Sequence, residues 1–264
     1  MLILDVAKRL VRRSPIGPST VRLYRKYVRP HPPQVDGPGA RYDRETVEVM
    51  RRLLRRDSSC VDVGAHNGTI LRTMLELSPK GTHFAFEPLP HLAARLRATF
   101  PTVRVHEVAL SDHAGQASFV HVENDPAYSG LRPRIYDRPD PVLQQITVTV
   151  TRLDDVISPE QPVAFIKIDV EGGEFHVMRG AARTIQRCRP VIVFEAGGKS
   201  TGQYGVEPDE VYELITGPLG CRLSLMQRWL TGRPSYDAAE FRDAWRSGAE
   251  YYFIAYPTDS RPAG

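Results

Sequence analysis

Three carboxylates close short apolar runs in this chain: Glu87 in FAFEP, Asp169 in IKIDVEG and Glu195 in VIVFEAG. An acid at the end of a buried strand can accept hydrogen bonds from paired hydroxyls, take a proton, or ligate a hard cation. A fourth element, VDVGAHNG at 61–68, sets Gly64 and Gly68 around His66 and Asn67. A strand that ends in a glycine turn and feeds a helix aims backbone N–H groups and the helix dipole into a crevice. Such a crevice suits nucleotides and many other small ligands, and its glycines would let the backbone approach them closely.

Glu87 lies nineteen residues beyond Gly68, near the offset of about 20 at which an acid meets a ribose diol. The turn lacks the second glycine of G-x-G-x-x-G, which lets a backbone crowd a pyrophosphate. A ligand with a ribose but no phosphates therefore fits better, and S-adenosylmethionine is such a ligand. His66 has no ligand-spaced partner and reads as a loop residue. Asp169 could take or orient an acceptor hydroxyl's proton, or bind the cofactor's amino group. Lys167 shares its strand face and would lower its pKa. Glu171, on the following loop, is the next candidate, while Glu174 opens a helix and suits its dipole. Asp169 and Glu195 could hold a divalent metal through oxygen, but spacing assigns no third ligand and no metal residues are predicted.

The elements that must position these groups alternate from residue 41 onward. Helices are expected at 43–56, 68–77, 90–98, 174–187, 208–216 and 237–246. Strands are expected at 59–63, 83–87, 103–110, 116–122, 146–153, 163–170 and 191–195, with a closing pair in CRLSLMQRW and YYFIAYP. The fold predicted is α/β, a Rossmann-like doubly wound sheet with a C-terminal antiparallel strand pair and an N-terminal helical arm. The stretch 123–144 reads as irregular, and its Tyr128, Arg132, Arg134, Tyr136 and Arg138 suit acceptor recognition or a solvated loop.

The chain of 264 residues carries a formal charge of +4, distributed unevenly. Residues 1–56 hold 14 Lys/Arg against 5 Asp/Glu, whereas the remainder holds 21 against 26. Residues 2–13 and 19–29 each set an apolar face against a basic one, and 30–40 reads as a Pro/Gly linker. The expected division is an arm over 1–40 and a catalytic domain over 41–264. Cys60, Cys188 and Cys221 lack C-x-x-C spacing, so a reducing cytoplasm is expected. No run approaches the roughly 20 apolar residues of a membrane span, and the N-terminus lacks signal-peptide features.

Several segments in order resemble the FkbM-like family of S-adenosylmethionine-dependent methyltransferases: VDVGAHNG, FEP, ALSDHAG at 109–115, TRLDD at 151–155, IKIDVEGGEFHVMRGA at 166–181 and PVIVFEAG at 190–197. The resemblance covers about 60–256, and IKIDVEG with its following helix is its most specific piece. It implies a domain in which Asp62, Gly64, Asn67 and Gly68 surround the methionine end of the cofactor. Glu87 would hold the ribose, and Ser111 and Asp112 would lie near the adenine. It also implies transfer to a hydroxyl of a sugar, glycolipid or polyketide. Asp169 and Glu171 are the candidate catalytic groups.

Two other readings compete. A nucleic-acid methyltransferase could grip phosphates with the arm and stack bases on Tyr24 and Tyr27. A scaffold protein could keep the fold without the chemistry, against which the intact turn, ribose acid and IDVEG segment argue. The arm's wide apolar face favours docking on the domain itself or peripheral contact with the anionic inner membrane face, and no nucleic-acid partner is expected. The oligomeric state is not legible.

Overall fold

Apolar runs of four or five residues, buried on both faces, form the centre of the fold. They are β1 (Cys60–Val63), β2 (His83–Phe86), β7 (Phe165–Ile168) and β8 (Val191–Glu195). With β3 (Arg104–His106), β9 (Cys221–Ser224) and β10 (Tyr252–Pro257) they make a seven-stranded sheet in the order β3-β2-β1-β7-β8-β10-β9. The computed structural model describes residues 38–136, 140–197 and 201–259. The chain divides into two units, 1–41 and 42–264. The arm predicted over 2–13 and 19–29, and Arg138, lie outside the described residues.

The first five strands of that sheet run parallel, and β10 is antiparallel to both β8 and β9. This is the predicted doubly wound sheet with its closing antiparallel pair. The helices are α1 (Pro38–Leu53), α2 (Thr69–Leu77), α3 (Pro90–Thr99), α4 (Leu153–Val156), α5 (Glu174–Gly180), α6 (Ala182–Cys188), α7 (Pro208–Thr216), α8 (Met226–Leu230) and α9 (Ala238–Ser247). No helix among the described residues is long and apolar enough to cross a membrane.

Four expectations need correction. The linker read over 30–40 ends early, because α1 begins at Pro38, where a proline's fixed φ suits a first helical turn. The strand expected over 103–110 is two: β3 stays in the main sheet, while β4 (Ala109–Leu110) leaves it to pair with Val150 and Thr151. The helix expected over 174–187 breaks at Ala181. Its second half acquires a cap from afar, since both carboxylate oxygens of Asp154 accept from the Arg183 and Thr184 backbone N–H groups at 2.9 and 2.8 Å. The stretch 123–144 is not wholly irregular. Pro126–Tyr128 form a 3-10 turn, Gly130 bridges Val120, and β6 (Leu143–Thr151) starts three residues before its predicted position.

β6 pairs with β5 (Gly115–Val122) and β4 in a separate three-stranded sheet. The buried Val148 and Val150 alternate with exposed residues along β6, the period-two pattern visible in ITVTVTRL. In the main sheet the two faces differ in a way that positions the chemistry. Val61, Val63, Ile166, Ile168, Ile192 and Phe194 fill one core. Cys60, Phe165, Val191, Val193 and Ile254 fill the other, against Tyr42, Val49 and Met50 of α1. On that second face the next step toward the strand ends turns polar. Asp62 stands in register with Lys167, and Glu195 with Tyr252.

Candidate active site

Connections from β1 lead through β2 to β3 on one side, and from β7 to β8 on the other. The boundary between β1 and β7 is therefore the topological switch point, where a ligand crevice is expected at the carboxyl ends of the strands. A cleft of about 590 Å³, counting its open mouth, lies there. Gly64 and His66 line it at the turn, with Phe86 at the end of β2 and Glu87 and Leu89 beyond it. Leu110 and Phe119 of the second sheet, Val108 just before it and Pro126, Ser129 and Leu131 of its connection also line it, and Asp169, Val170 and Glu171 meet them from the end of β7.

The protein's own packing already requires both turn glycines. Gly64 has φ 74°, and a Cβ there would fall 1.8 Å from the Asp169 carbonyl oxygen. At Gly68, φ is 79° and a Cβ would meet Phe100 at 2.4 Å. Whatever ligand the turn faces, its backbone also approaches the end of β7 and the α3 side chains closely.

Of the predicted cofactor residues, Gly64 and Glu87 line the cleft. Glu87 is 4% exposed. Its oxygens accept from the His66 N–H at 2.9 Å and the Leu89 N–H at 3.0 Å. Each oxygen keeps capacity for one more donor, as a vicinal diol requires. Burial raises its pKa despite those two N–H groups. Asp62 is buried beneath the turn, outside the lining, with its pKa raised by burial, and the Leu71 backbone N–H ties it to α2. Asn67 is exposed and accepts from the Thr69 N–H and hydroxyl at 3.0 and 2.7 Å, supporting the start of α2. Ser111 and Asp112 follow Leu110 but do not line the cleft. Asp112 pairs instead with His113 at 3.1 Å and Arg179 at 3.6 Å. His66 lines the cleft with its pKa lowered, chiefly by burial and then by Arg95 and Lys167.

The predicted catalytic residues come together at the other end. Asp169 lines the cleft and keeps 25% of its side-chain surface exposed. As their shared face predicts, Lys167 pairs with it at 3.1 Å. Lys167 also donates to the Gly64 carbonyl at 3.3 Å and lies 3.9 Å from Asp62. Burial opposes its charge, but Asp169 and Asp62 outweigh that and push its pKa up to about 12. Burial likewise opposes ionisation of Asp169. Lys167, Tyr252 and Glu195 overcome it and hold the carboxyl below its ordinary range. Glu195 goes the other way: burial and the Asp169 charge raise it well above that range, so one proton is held between the two.

Glu171 sits at φ 62°, uncommon for a residue with a side chain, and contacts Arg134 directly. Glu174 holds that loop: its Oε1 accepts from the Val170 and Gly172 N–H groups at 2.9 and 3.1 Å. Arg134 stacks over Tyr128 at 4.8 Å, and Arg132 over Tyr204 at 5.2 Å, so the aromatic and basic residues of the 123–144 stretch engage this end of the site. Tyr252, which sequence reasoning missed, donates to Asp169 Oδ2 at 2.6 Å. The only sequence signal was a tyrosine in a closing strand.

The structure supplies the third acid that spacing did not. Ligand oxygens of Asp169, Glu171 and Glu195 all lie within 4.8 Å of one another. Yet Lys167 pairs with Asp169 and Arg134 with Glu171, while burial and the Asp169 charge disfavour ionisation of Glu195. The donor set is charge-balanced by the protein's own groups and does not fit a divalent cation well.

A family model described as the methyltransferase FkbM domain matches residues 62–222, from β1 into β9. The chain belongs to the FkbM methyltransferase family. Over 164 residues it is 30% identical to the 2-O-methyltransferase NoeI of Sinorhizobium fredii, covering 54% of this chain and 65% of that one. The methyltransferase FkbM of Methylobacillus flagellatus matches with 18% identity and a TM-score of 0.45, over 77% of this chain and 44% of that one. An rRNA methylase of Streptococcus thermophilus matches with 12% identity and a TM-score of 0.41, over 84% and 96%. The FkbM chain described here thus spans less than two thirds of the curated relative and less than half of the solved FkbM protein.

Proposed function

We propose that this FkbM-family protein transfers a methyl group from S-adenosylmethionine to a hydroxyl oxygen on a sugar of a glycolipid or secondary metabolite. The observation that carries the proposal is one cleft with a diol-ready carboxylate, Glu87, near one end and a fixed, ionised carboxylate, Asp169, at the other. The relative NoeI, a 2-O-methyltransferase, supports oxygen as the methylated atom. Apolar Phe86, Leu89, Leu110 and Phe119 beside Glu87 suit a flat base, and ionised Asp169 suits a cationic donor.

When bound, the cofactor supplies an electrophilic methyl on a sulfonium centre. The acceptor oxygen forms the new O–C bond as the C–S bond breaks, with the electron pair left on sulfur. The protein's task is alignment and removal of the hydroxyl proton. Alignment of two reactants can supply roughly 7–11 kcal/mol of the barrier. A base adds about 10²–10⁴-fold. Asp169, held below the ordinary carboxylate range, is better suited to orient that proton than to bind it tightly, and water at the open mouth is its final acceptor.

A phosphodiester acceptor fits poorly, because three acids crowd this end of the cleft and the two cations beside them, Lys167 and Arg134, are already paired. A lipid-borne acceptor would agree with the alternation of apolar and basic residues in the sequence of 2–29, at about 1 kcal/mol per Lys or Arg near an anionic surface. Methyl-labelled cofactor incubated with separate glycan, lipid and RNA extracts tests the whole proposal. Label is expected in the glycan or glycolipid fraction, and label confined to RNA would overturn it.

A further inference from the structure

Asp169 is a short side chain at the rim of a cleft, and a carboxylate there can rotate about two torsions. Two of its three side-chain partners reach the same oxygen, and protonated Glu195 is the third. Tyr252 approaches Oδ2 at 2.6 Å and Lys167 approaches Oδ2 at 3.1 Å. The Tyr252 contact has the length of a charge-assisted O–H···O bond. The donors come from different strands, β10 and β7, and Lys167 is itself anchored on the Gly64 carbonyl.

Tyr252 is held equally firmly. It lies in register with Glu195, and its ring stacks on Tyr42 with centroids 5.0 Å apart and planes 27° apart. Its hydroxyl has a pKa well above the usual value, from burial and the two neighbouring carboxylates, so it remains a donor throughout the working range. A phenol fixes the carboxylate without adding a second cation beside a cationic methyl donor. We propose that Tyr252 is a positioning residue: with Lys167 it pins Oδ2 of Asp169, so that the carboxylate meets the acceptor hydroxyl in one orientation. The assignment of an acceptor hydroxyl rests on the function proposed above; the Tyr252–Asp169 link does not.

Tyr252→Phe keeps the ring and its stack and removes the hydrogen bond. The charged and titratable groups around Asp169 are Lys167 on β7, Asp62 on β1, Glu195 on β8, Asp43 on α1 and Glu174 on α5. His66 and the Arg134–Glu171 pair stand on the cleft side. None of these is altered by the substitution. Turnover should fall roughly 10–100-fold, the loss of one hydrogen bond to a charged group. Cofactor Kd should stay within about twofold. Asp169 loses a donor that favours its ionised form, so the acidic limb of the pH–rate profile should move to higher pH. In an Asp169→Asn background the same substitution should cost little more, because its target is gone.

An unmoved acidic limb, additive losses, or cofactor binding weakened as much as turnover would each overturn the proposal. If Tyr252→Phe folds poorly, fluorotyrosine at 252, a stronger donor of nearly the same shape, should move the limb the opposite way. Isotope-edited infrared titration of the Asp169 carboxylate needs no acceptor: an unchanged midpoint in Tyr252→Phe sinks the link. A wild-type protein that methylates no hydroxyl, yet shows the infrared shift, instead sinks the functional proposal.

Discussion

The two ends of the cleft are built by different means. Around β1 and β2 the ligand surface is backbone and apolar side chain, and the one carboxylate, Glu87, already grips two N–H groups. Around β7, β8 and β10 it is a dense set of charges: Lys167, Asp169, Glu171, Glu195 and the Tyr252 hydroxyl. The first end can bind by shape with little reorganisation. At the second, every charge sets its neighbour's protonation, which is the requirement for chemistry rather than for affinity. A shared backbone contact, Gly64 against the Asp169 carbonyl, keeps the two ends in register.

The largest expected effect is at the charged end. Asp169→Asn should lower kcat by about 10²–10⁴-fold while changing cofactor Kd by only a few-fold. Single-turnover kinetics beside calorimetric titration of the cofactor would check it. An equal loss in both would mean that the charged end binds the cofactor and the contrast between the ends is false. Next comes the contact that joins them. Gly64→Ala places a Cβ 1.8 Å from the Asp169 oxygen and forces a positive φ on alanine. It should cost about 2–4 kcal/mol of stability. Urea unfolding measures this, and a variant as stable as wild type would show that the strand ends can separate.

A smaller effect belongs to the shape-built end. Glu87→Ala removes the diol partner and strands the His66 and Leu89 N–H groups in a buried site. Cofactor Kd should weaken by about 10–100-fold, the cost of one or two charge-assisted hydrogen bonds, with kcat at saturating cofactor nearly kept. Loss of kcat at unchanged Kd would reverse the roles assigned to the two ends.

The shape-built end was the more legible in the sequence, because its features are local. A strand, a glycine turn and an acid at a fixed offset lie within VDVGAHNG and FAFEP, and period-two or fully apolar runs mark the strands that carry them. The pairing of Lys167 with Asp169 was also legible, since two residues on one strand share a face by geometry. What required coordinates was lateral: Tyr252 reaches Asp169 only because β10 inserts beside β8, 83 residues away along the chain. The break at Ala181 was hidden for the same reason, because its cap is Asp154 from another helix. Asn67 and Asp112 illustrate the converse, polar residues in motif positions whose partners are protein groups.

The smallest effect concerns Glu174, the hinge pin beneath the charged end. It is 1% exposed, its Oε1 takes two backbone N–H groups, and burial raises its pKa to about 7 against those bonds. Below about pH 4.5 both folded and unfolded chains carry its proton, so the group has no effect on stability. From there to about pH 7 the unfolded chain releases the proton while the folded chain keeps it, so the folded state binds more protons and stability falls as pH rises. Above pH 7 the penalty is constant. Glu174→Gln cannot ionise, yet its amide oxygen can still accept from Val170 and Gly172. The variant should therefore match wild type near pH 4.5 and exceed it progressively up to pH 7, in urea unfolding across that window. Glu87 and Glu195, also raised by burial, titrate in both proteins and cancel in the difference. A difference that stays flat with pH would mean that Glu174 is ionised throughout. The loop bearing Glu171 would then be held by a full charge, and the charged end would carry one more negative charge than the two cations and the shared proton balance.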